Sequence, residues 1–379
     1  MANLRLAIVT PRFWPLIGDQ SMHLLRLADS LTTLGHSAVV VTPQWKRSWP
    51  QQMTIGGVEL VRLRGSGRGG WSTLRWMYSL GSWLREQALD GVLVDGLRHE
   101  AYVALGVAKR MPLKVAIVAG EGDLTWQATA TLGTRIASRC REAPIVIGPS
   151  EALSHSLRAV GMADHRVRII PRTAAASPAR SQTVRNAVRG ALAAVNADLV
   201  VGPHSIVVLA AGRLDEAQRF GDLVRAWRIV TAKKPEARLW IVGDGPEREQ
   251  LYRQIGDLDQ RFRVLLPGTF DCLEEVIQAS DMLLVPAPYL VPPLVMLDSL
   301  AAGLPVIAAN SPTNQQLVRL GETGVLYPAG DVKAIAASVL EWIDQPAQAI
   351  ACGARARTAS QAWHTVTAEA EAYAEVFQE

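Results

Sequence analysis

Ser205–Phe220 reads SIVVLAAGRLDEAQRF, Ala237–Leu251 reads ARLWIVGDGPEREQL, Phe262–Phe270 reads FRVLLPGTF, and Ser280–Asn310 reads SDMLLVPAPYLVPPLVMLDSLAAGLPVIAAN. The apolar runs IVVLAAG, RLWIVG, RVLLPG, MLLVPA and PVIAA lack polar alternation, the pattern of strands buried on both faces of a parallel sheet. Between them GDLVRAWRIVTA, EREQLYRQI, CLEEVIQA and LVMLDSLAAG place apolar residues at helical spacing. Strand and helix in alternation predict βαβ units and a doubly wound sheet. Gly321–Asp331, GETGVLYPAGD, closes the frame, and only helices follow Asp331.

The first half repeats this rhythm. Strand LRLAIVT (residues 4–10) leads through PRFWPLIGDQ to a helix expected to start near Ser21, with Leu24, Leu27, Ala28 and Leu31 on one face and Gly35 at its end. Further strands are expected at SAVVVTP, VELVRLR, GVLVDG, LKVAIVAG, APIVIGP and VRIIPR. Residues 171–204, rich in alanine, arginine and serine, read as a loop, one helix and a hinge. The expected domains are 1–203, completed by a returning C-terminal helix at 354–379, and 204–353. Trp363, Val366, Ala370, Tyr373, Ala374 and Phe377 share one side of that last helix.

The chain has 379 residues, too many for one ordinary core. With 49% hydrophobic and 20% charged residues and a net charge of +4, it has a globular balance. Cys140, Cys272 and Cys352 are far apart and lack metal-ligand spacing, which fits reduced, buried thiols. The apolar run at the amino terminus is too short for a signal peptide, and no stretch reaches the roughly 18 unbroken apolar residues of a membrane span. Basic stripes and aromatic platforms for nucleic acid are absent, so no nucleic-acid partner is expected. Arg62, Arg64, Arg68, Trp71, Arg75 and Trp76 combine arginine and tryptophan as interfacial segments do. The alternative is a basic loop followed by a core helix using Met77, Leu80, Trp83 and Leu84.

In order and spacing, the segments from Gly212 to Pro328 resemble the donor half of the retaining family-4 glycosyltransferases. The first half is similar to the same family at Pro11–Pro15, Ile17-Gly18-Asp19, His23, Leu27-Ala28…Leu31…Gly35-His36, Pro149–Leu153 and Val167–Pro171. The resemblance implies an α/β chain of GT-B architecture, two Rossmann-like doubly wound parallel-sheet domains facing a cleft. It implies catalysis by Arg213, Gln218 and Asp298. Nucleotide-sugar binding falls to Gly18, Asp19, Gly243, Asp244, Gly268, Leu294, Val295 and Asp298. As the glycosidic bond breaks, charge grows on the leaving diphosphate, so pre-placed cations and helix-start amides stabilise the transition state more than the bound substrate.

Several polar positions depart from the family pattern. Asp19 stands where a second glycine would approach phosphate, and Gly120 (AGEGD) where a histidine would lie near sugar and acceptor, with Glu121 or Asp123 as substitute carboxylates. Gln218 replaces the lysine five residues after Arg213, with Arg219 next door as a substitute cation. Of the pair of glutamates eight residues apart, Leu290 replaces the first and Asp298 the second. Pro292 and Pro293 lack N–H groups, leaving Leu294 and Val295 as the best phosphate-binding amides. Gln315-Gln316 replaces the family's Pro-Glu. Gly243, Gly245, Gly268, Gly303, Gly321 and Gly324 are intact.

Two functions lead, with related GT-B chemistry such as epimerisation or phosphorolysis behind them. One is a metal-independent, hexosyltransferase-type enzyme moving a sugar with retention from a nucleoside-diphosphate sugar to a glycan or lipid-linked acceptor of a cell-envelope or polysaccharide pathway. The other is an inactive pseudo-glycosyltransferase that binds or scaffolds a partner. Neither needs a metal, or a cofactor beyond the donor itself. The expected location is cytoplasmic, with peripheral contact at the inner face of the membrane as an option.

Overall fold

The apolar runs of both halves become strands. The computed structural model describes residues 3–65, 69–202, 204–363 and 365–378. One unit comprises Met1–Leu16, Gln20–Arg172 and His364–Glu379; the other comprises Ile17–Asp19 and Thr173–Trp363.

In the first unit the strands are β1 (Arg5–Val9), β2 (Ser37–Pro43), β3 (Gln52–Ile55), β4 (Val58–Leu63), β5 (Gly91–Asp95), β6 (Lys114–Val118), β7 (Ile145–Gly148) and β8 (Val167–Ile169). Their order is β3-β4-β2-β1-β5-β6-β7-β8. All neighbours pair in parallel except β3 and β4, an antiparallel edge hairpin that the purely parallel expectation did not contain. The Gly56-Gly57 turn, with both residues at positive φ, allows that reversal. The first helix spans Asp19–Thr33, two residues ahead of the expected start. Ser21 lies inside it, its hydroxyl donating to Leu16 O at 3.3 Å.

In the second unit the strands are β9 (Ile206–Ala211), β10 (Ala237–Val242), β11 (Val264–Gly268), β12 (Met282–Val285), β13 (Val306–Ala309) and β14 (Gly324–Tyr327). They form an all-parallel sheet in the order β11-β10-β9-β12-β13-β14. Apolar clusters cover both faces, one around Phe220, Trp227 and Trp342, the other around Trp240, Val276 and Met296. This two-sided burial explains why the strands read as continuous apolar runs.

The division of the chain differs from the expected 203/204. The helix Gln182–Val195 is bound to the second unit: Arg189 Nε donates to Ala279 O at 2.8 Å and Arg189 Nη2 to Asp281 at 2.7 Å. Arg185 joins the same carboxylate, which also accepts the Val207 N–H at 2.8 Å. A half-buried carboxylate shared by two guanidiniums and an amide is a strong tether. At the other end the helix Pro346–Ser360 buries Ala349, Cys352 and Ala356 in the second unit, and Trp363 packs there too rather than on the returning helix. Only residues 364–379, which include helix Val366–Glu375, return to complete the first unit. Ala370, Tyr373, Ala374 and Phe377 pack with Leu6 and Ile8 of β1. Gly91 makes room for them, since a Cβ there would lie 2.2 Å from the Phe377 ring.

Candidate donor site

In a doubly wound sheet, ligands gather beyond the carboxyl ends of the strands where the winding reverses. In the second unit that point lies between β9 and β12. The loop after β9 carries Gly212, Arg213 and Gln218; the loop after β12 carries Tyr289, Leu290 and the prolines before helix Leu294–Ala302. The two loops meet, because the Tyr289 hydroxyl donates to Gln218 Oε1. Gln218 is thus a neutral acceptor tied to a tyrosine, where a lysine would bring a charge.

Arg213 is 47% exposed, and its Nε lies 3.4 Å from Asp215. A partly solvated guanidinium with one loose carboxylate neighbour retains donors for a phosphate. Arg219 offers no substitute. It sits in left-handed conformation (φ 58°), with Nε and Nη2 on Asp222 at 2.8 and 2.7 Å and its guanidinium against Gly330.

The neighbouring turns are laced by backbone. Gly212 N–H donates to Val242 O at 3.0 Å, Leu214 N–H to Asp244 O at 3.1 Å and Gly243 N–H to Gly268 O at 2.8 Å. A Cβ on Gly243 would stand 1.9 Å from Gly212 O, so only glycine lets these strand ends approach so closely. The Asp244 carboxylate is exposed and reaches Arg248 only at 4.0 Å.

Helix Leu294–Ala302 follows Pro293, whose extended φ/ψ suits an N-cap. Leu294 N–H donates to Asp19 Oδ1 at 2.6 Å, a short charge-assisted bond. Gly18 is exposed beside it, and both residues belong to the second unit. Val295 is buried in the first turn. One turn on, buried Asp298 accepts the Ala175 N–H at 2.9 Å, so one of its oxygens holds the connecting chain. Leu290 contributes its carbonyl, which accepts the Thr313 hydroxyl at 3.0 Å. Gln316 is exposed, and Gln315 Nε2 donates to Asn310 Oδ1 at 2.8 Å.

The first unit has its own winding reversal, between β1 and β5. Asp95 ends β5 there, accepting the Thr10 hydroxyl at 2.7 Å and Gln20 Nε2 at 2.8 Å, while Arg172 donates to Gln20 Oε1. Burial pushes its carboxyl up to about 6, against the pull of the Thr10 bond. Sequence reasoning passed over Asp95; the only signal was an acid closing an otherwise apolar strand. Gly120 lies nearby in a turn stapled by Asp123, whose carboxylate accepts the Gly120 N–H at 2.7 Å, the Leu97 N–H at 2.8 Å and Arg98 Nε at 2.8 Å. Asp123 therefore orders backbone and a guanidinium, which itself lies 5.4 Å from the Trp126 ring.

The arginine–tryptophan segment divides. Arg62 is only 2% exposed and donates to Pro50 O and Trp14 O at 2.7 and 2.8 Å, and buried Trp76 donates to Glu100 at 2.7 Å, so neither faces outward. Trp71, Leu74, Arg75 and Tyr78 are exposed along one face of helix Gly70–Glu86. Arg68 lies outside the described residues. Cys140 and Cys352 are buried, whereas Cys272 is exposed, contrary to the expected burial of all three.

Two α/β units, each built on a doubly wound sheet with its own winding reversal, define the GT-B class. Residues 193–359 match the family described as "Glycosyl transferases group 1", and residues 20–174 match "Glycosyltransferase Family 4". The chain belongs to the family-4 glycosyltransferases of GT-B fold. It is 32% identical over 133 residues to the lipopolysaccharide core biosynthesis glycosyltransferase LpsE of Rhizobium meliloti, covering 35% of this chain and 38% of that protein. It is 30% identical over 143 residues to N-acetyl-alpha-D-glucosaminyl L-malate synthase of Bacillus anthracis, covering 38% and 37%. The matched stretches thus span well under half of either relative. In fold it is similar to sucrose-phosphate synthase of Thermosynechococcus elongatus (TM-score 0.82, 18% identity, 99% and 98% of the two chains). It is also similar to Anabaena HepE in complex with UDP and glucose (TM-score 0.79, 16% identity, all of both chains).

Proposed function

We propose that this chain is a working glycosyltransferase that moves a sugar, with retention of anomeric configuration, from a nucleoside-diphosphate sugar to a glycan or lipid-linked acceptor. One observation carries the reading: the Leu294 amide already holds an anionic oxygen at 2.6 Å. A helix-start amide at a sheet's winding reversal, engaged with negative charge, is an anion seat. Arg213 leaves the adjacent strand β9 at the same edge of the sheet and remains half-exposed.

In the reaction, Arg213 and the Leu294 and Val295 amides would hold the leaving diphosphate. Because its charge grows as the bond to the sugar breaks, these donors lower the barrier rather than only tighten binding. Gln218 contributes a polar contact without charge, which leaves Arg213 as the principal side-chain cation. The related HepE structure contains UDP and glucose, which supports a nucleotide-sugar donor here.

Among the described residues no helix is long and apolar enough to cross a membrane. For a lipid-linked acceptor, the exposed face of helix Gly70–Glu86 supports peripheral contact. Trp71 is 89% exposed, and Leu74, Arg75 and Tyr78 complete an aromatic and basic face suited to an anionic interface on the cytoplasmic side.

Calorimetric titration with UDP-, GDP- and ADP-sugars tests the proposal. One donor should bind saturably, release its nucleotide in the presence of acceptor, and yield a product of unchanged anomeric configuration by NMR. Silence across all donors overturns it.

A further inference from the structure

The phosphate seat is occupied from within. At the start of helix Leu294–Ala302, Pro292 and Pro293 bring no N–H groups. Met296 and Leu297 turn theirs back to Pro293 O at 3.0 and 3.3 Å. That leaves the Leu294 and Val295 N–H groups as the donors of this helix start, and Asp19 Oδ1 takes that of Leu294 at 2.6 Å. A single N–H at that distance cannot also serve a phosphate oxygen at full strength. An incoming phosphate would in addition meet a carboxylate at contact distance, where like charges repel.

We infer that the Asp19 carboxylate is a built-in substitute for a donor phosphate oxygen. It makes an autoinhibitory contact that sets donor affinity, and the diphosphate must displace it before Arg213 and the Leu294 amide can grip the leaving group. The inference rests on the reading of this helix start as the diphosphate seat. It adds a role that the seat alone does not contain: residue 19 decides how readily the seat accepts any donor. A glycine at this position would leave the amide unclaimed.

Two variants separate the parts of the contact. Asp19→Gly removes both the acceptor oxygen and the charge. Asp19→Asn keeps an oxygen for Leu294 but removes the charge, and it alters the fold least. UDP, GDP and ADP are titrated into wild type, both variants and Arg213→Ala, with uridine, guanosine and adenosine as phosphate-free controls.

The expected result is at least tenfold tighter binding of the preferred diphosphate by Asp19→Gly. Asp19→Asn should show a smaller gain, and affinity for the matching nucleoside should not change. If Asp19→Gly does not fold, the gain in Asp19→Asn decides. Unchanged or weaker diphosphate binding in the variants, while wild type binds and Arg213→Ala binds less, overturns the role of Asp19 and leaves the seat standing. No diphosphate binding by any of the four chains overturns the seat reading and Asp19's role with it.

Discussion

Replacing Asp95 by asparagine should change how the stability of this protein depends on pH. Asp95 is 9% exposed at the end of β5, and burial raises its carboxyl from an ordinary 3.8 to about 6. Nearby Asp123 and Glu100 push in the same direction, whereas the Thr10 hydroxyl and Arg172 oppose it. Because the folded value lies above the unfolded one, the fold favours the protonated acid. Its contribution is full below about pH 4 and is lost as the pH rises through about 6. The gap of about two pH units corresponds to about 3 kcal/mol, at about 1.36 kcal/mol per unit. Asparagine keeps one acceptor for Thr10 and cannot ionise. Urea denaturation from pH 4.5 to 8 should therefore show wild type losing stability relative to Asp95→Asn as pH rises, with the variant ahead by about 1–3 kcal/mol at pH 7.5. Parallel curves for the two chains over that range would show that the ionisation of Asp95 is not coupled to folding.

Further expectations concern the scaffold and its surface. Gly243→Ala should cost about 3 kcal/mol in chemical denaturation, since the new Cβ meets a backbone carbonyl at 1.9 Å. Gly190→Ala, inside helix Gln182–Val195 with open space around it, should instead stabilise by about 0.5–1 kcal/mol; equal effects would contradict the packing described. Asp281→Ala strands Arg185 and Arg189 and should cost about 3–5 kcal/mol, a loss that a thermal shift of less than a degree would rule out. Trp71→Ala combined with Tyr78→Ala should reduce flotation with anionic vesicles by at least about tenfold without altering the melting temperature. Wild type that ignores such vesicles removes the case for membrane contact.

Local pattern carried much of this protein. The apolar runs of β9 to β14 are legible because both faces of the sheet are buried, and the helices between them follow from spacing alone. Arg213 and Leu294 could be placed through motif register, since each follows its strand by a fixed short loop. Other features had no such signal. Arg62 reads as a surface cation, yet it donates to carbonyls 12 and 48 residues away. Strand β3 is short and half-exposed, so its run was too weak to register beside the expected β4.

Fold class, strand order of appearance and the positions of the turn glycines were settled by short-range preferences, because burial on a parallel sheet and positive φ both leave marks in neighbouring residues. Tertiary structure alone decided which polar groups meet. Asp19 and Leu294 are 275 residues apart, Asp298 and Ala175 are 123 apart, and Thr10 and Asp95 are 85 apart. A carboxylate written in the chain has no fixed role until folding chooses its donor. Here that choice turns Asp95 into a buried acid and sets Asp19 on the Leu294 amide at the start of its helix.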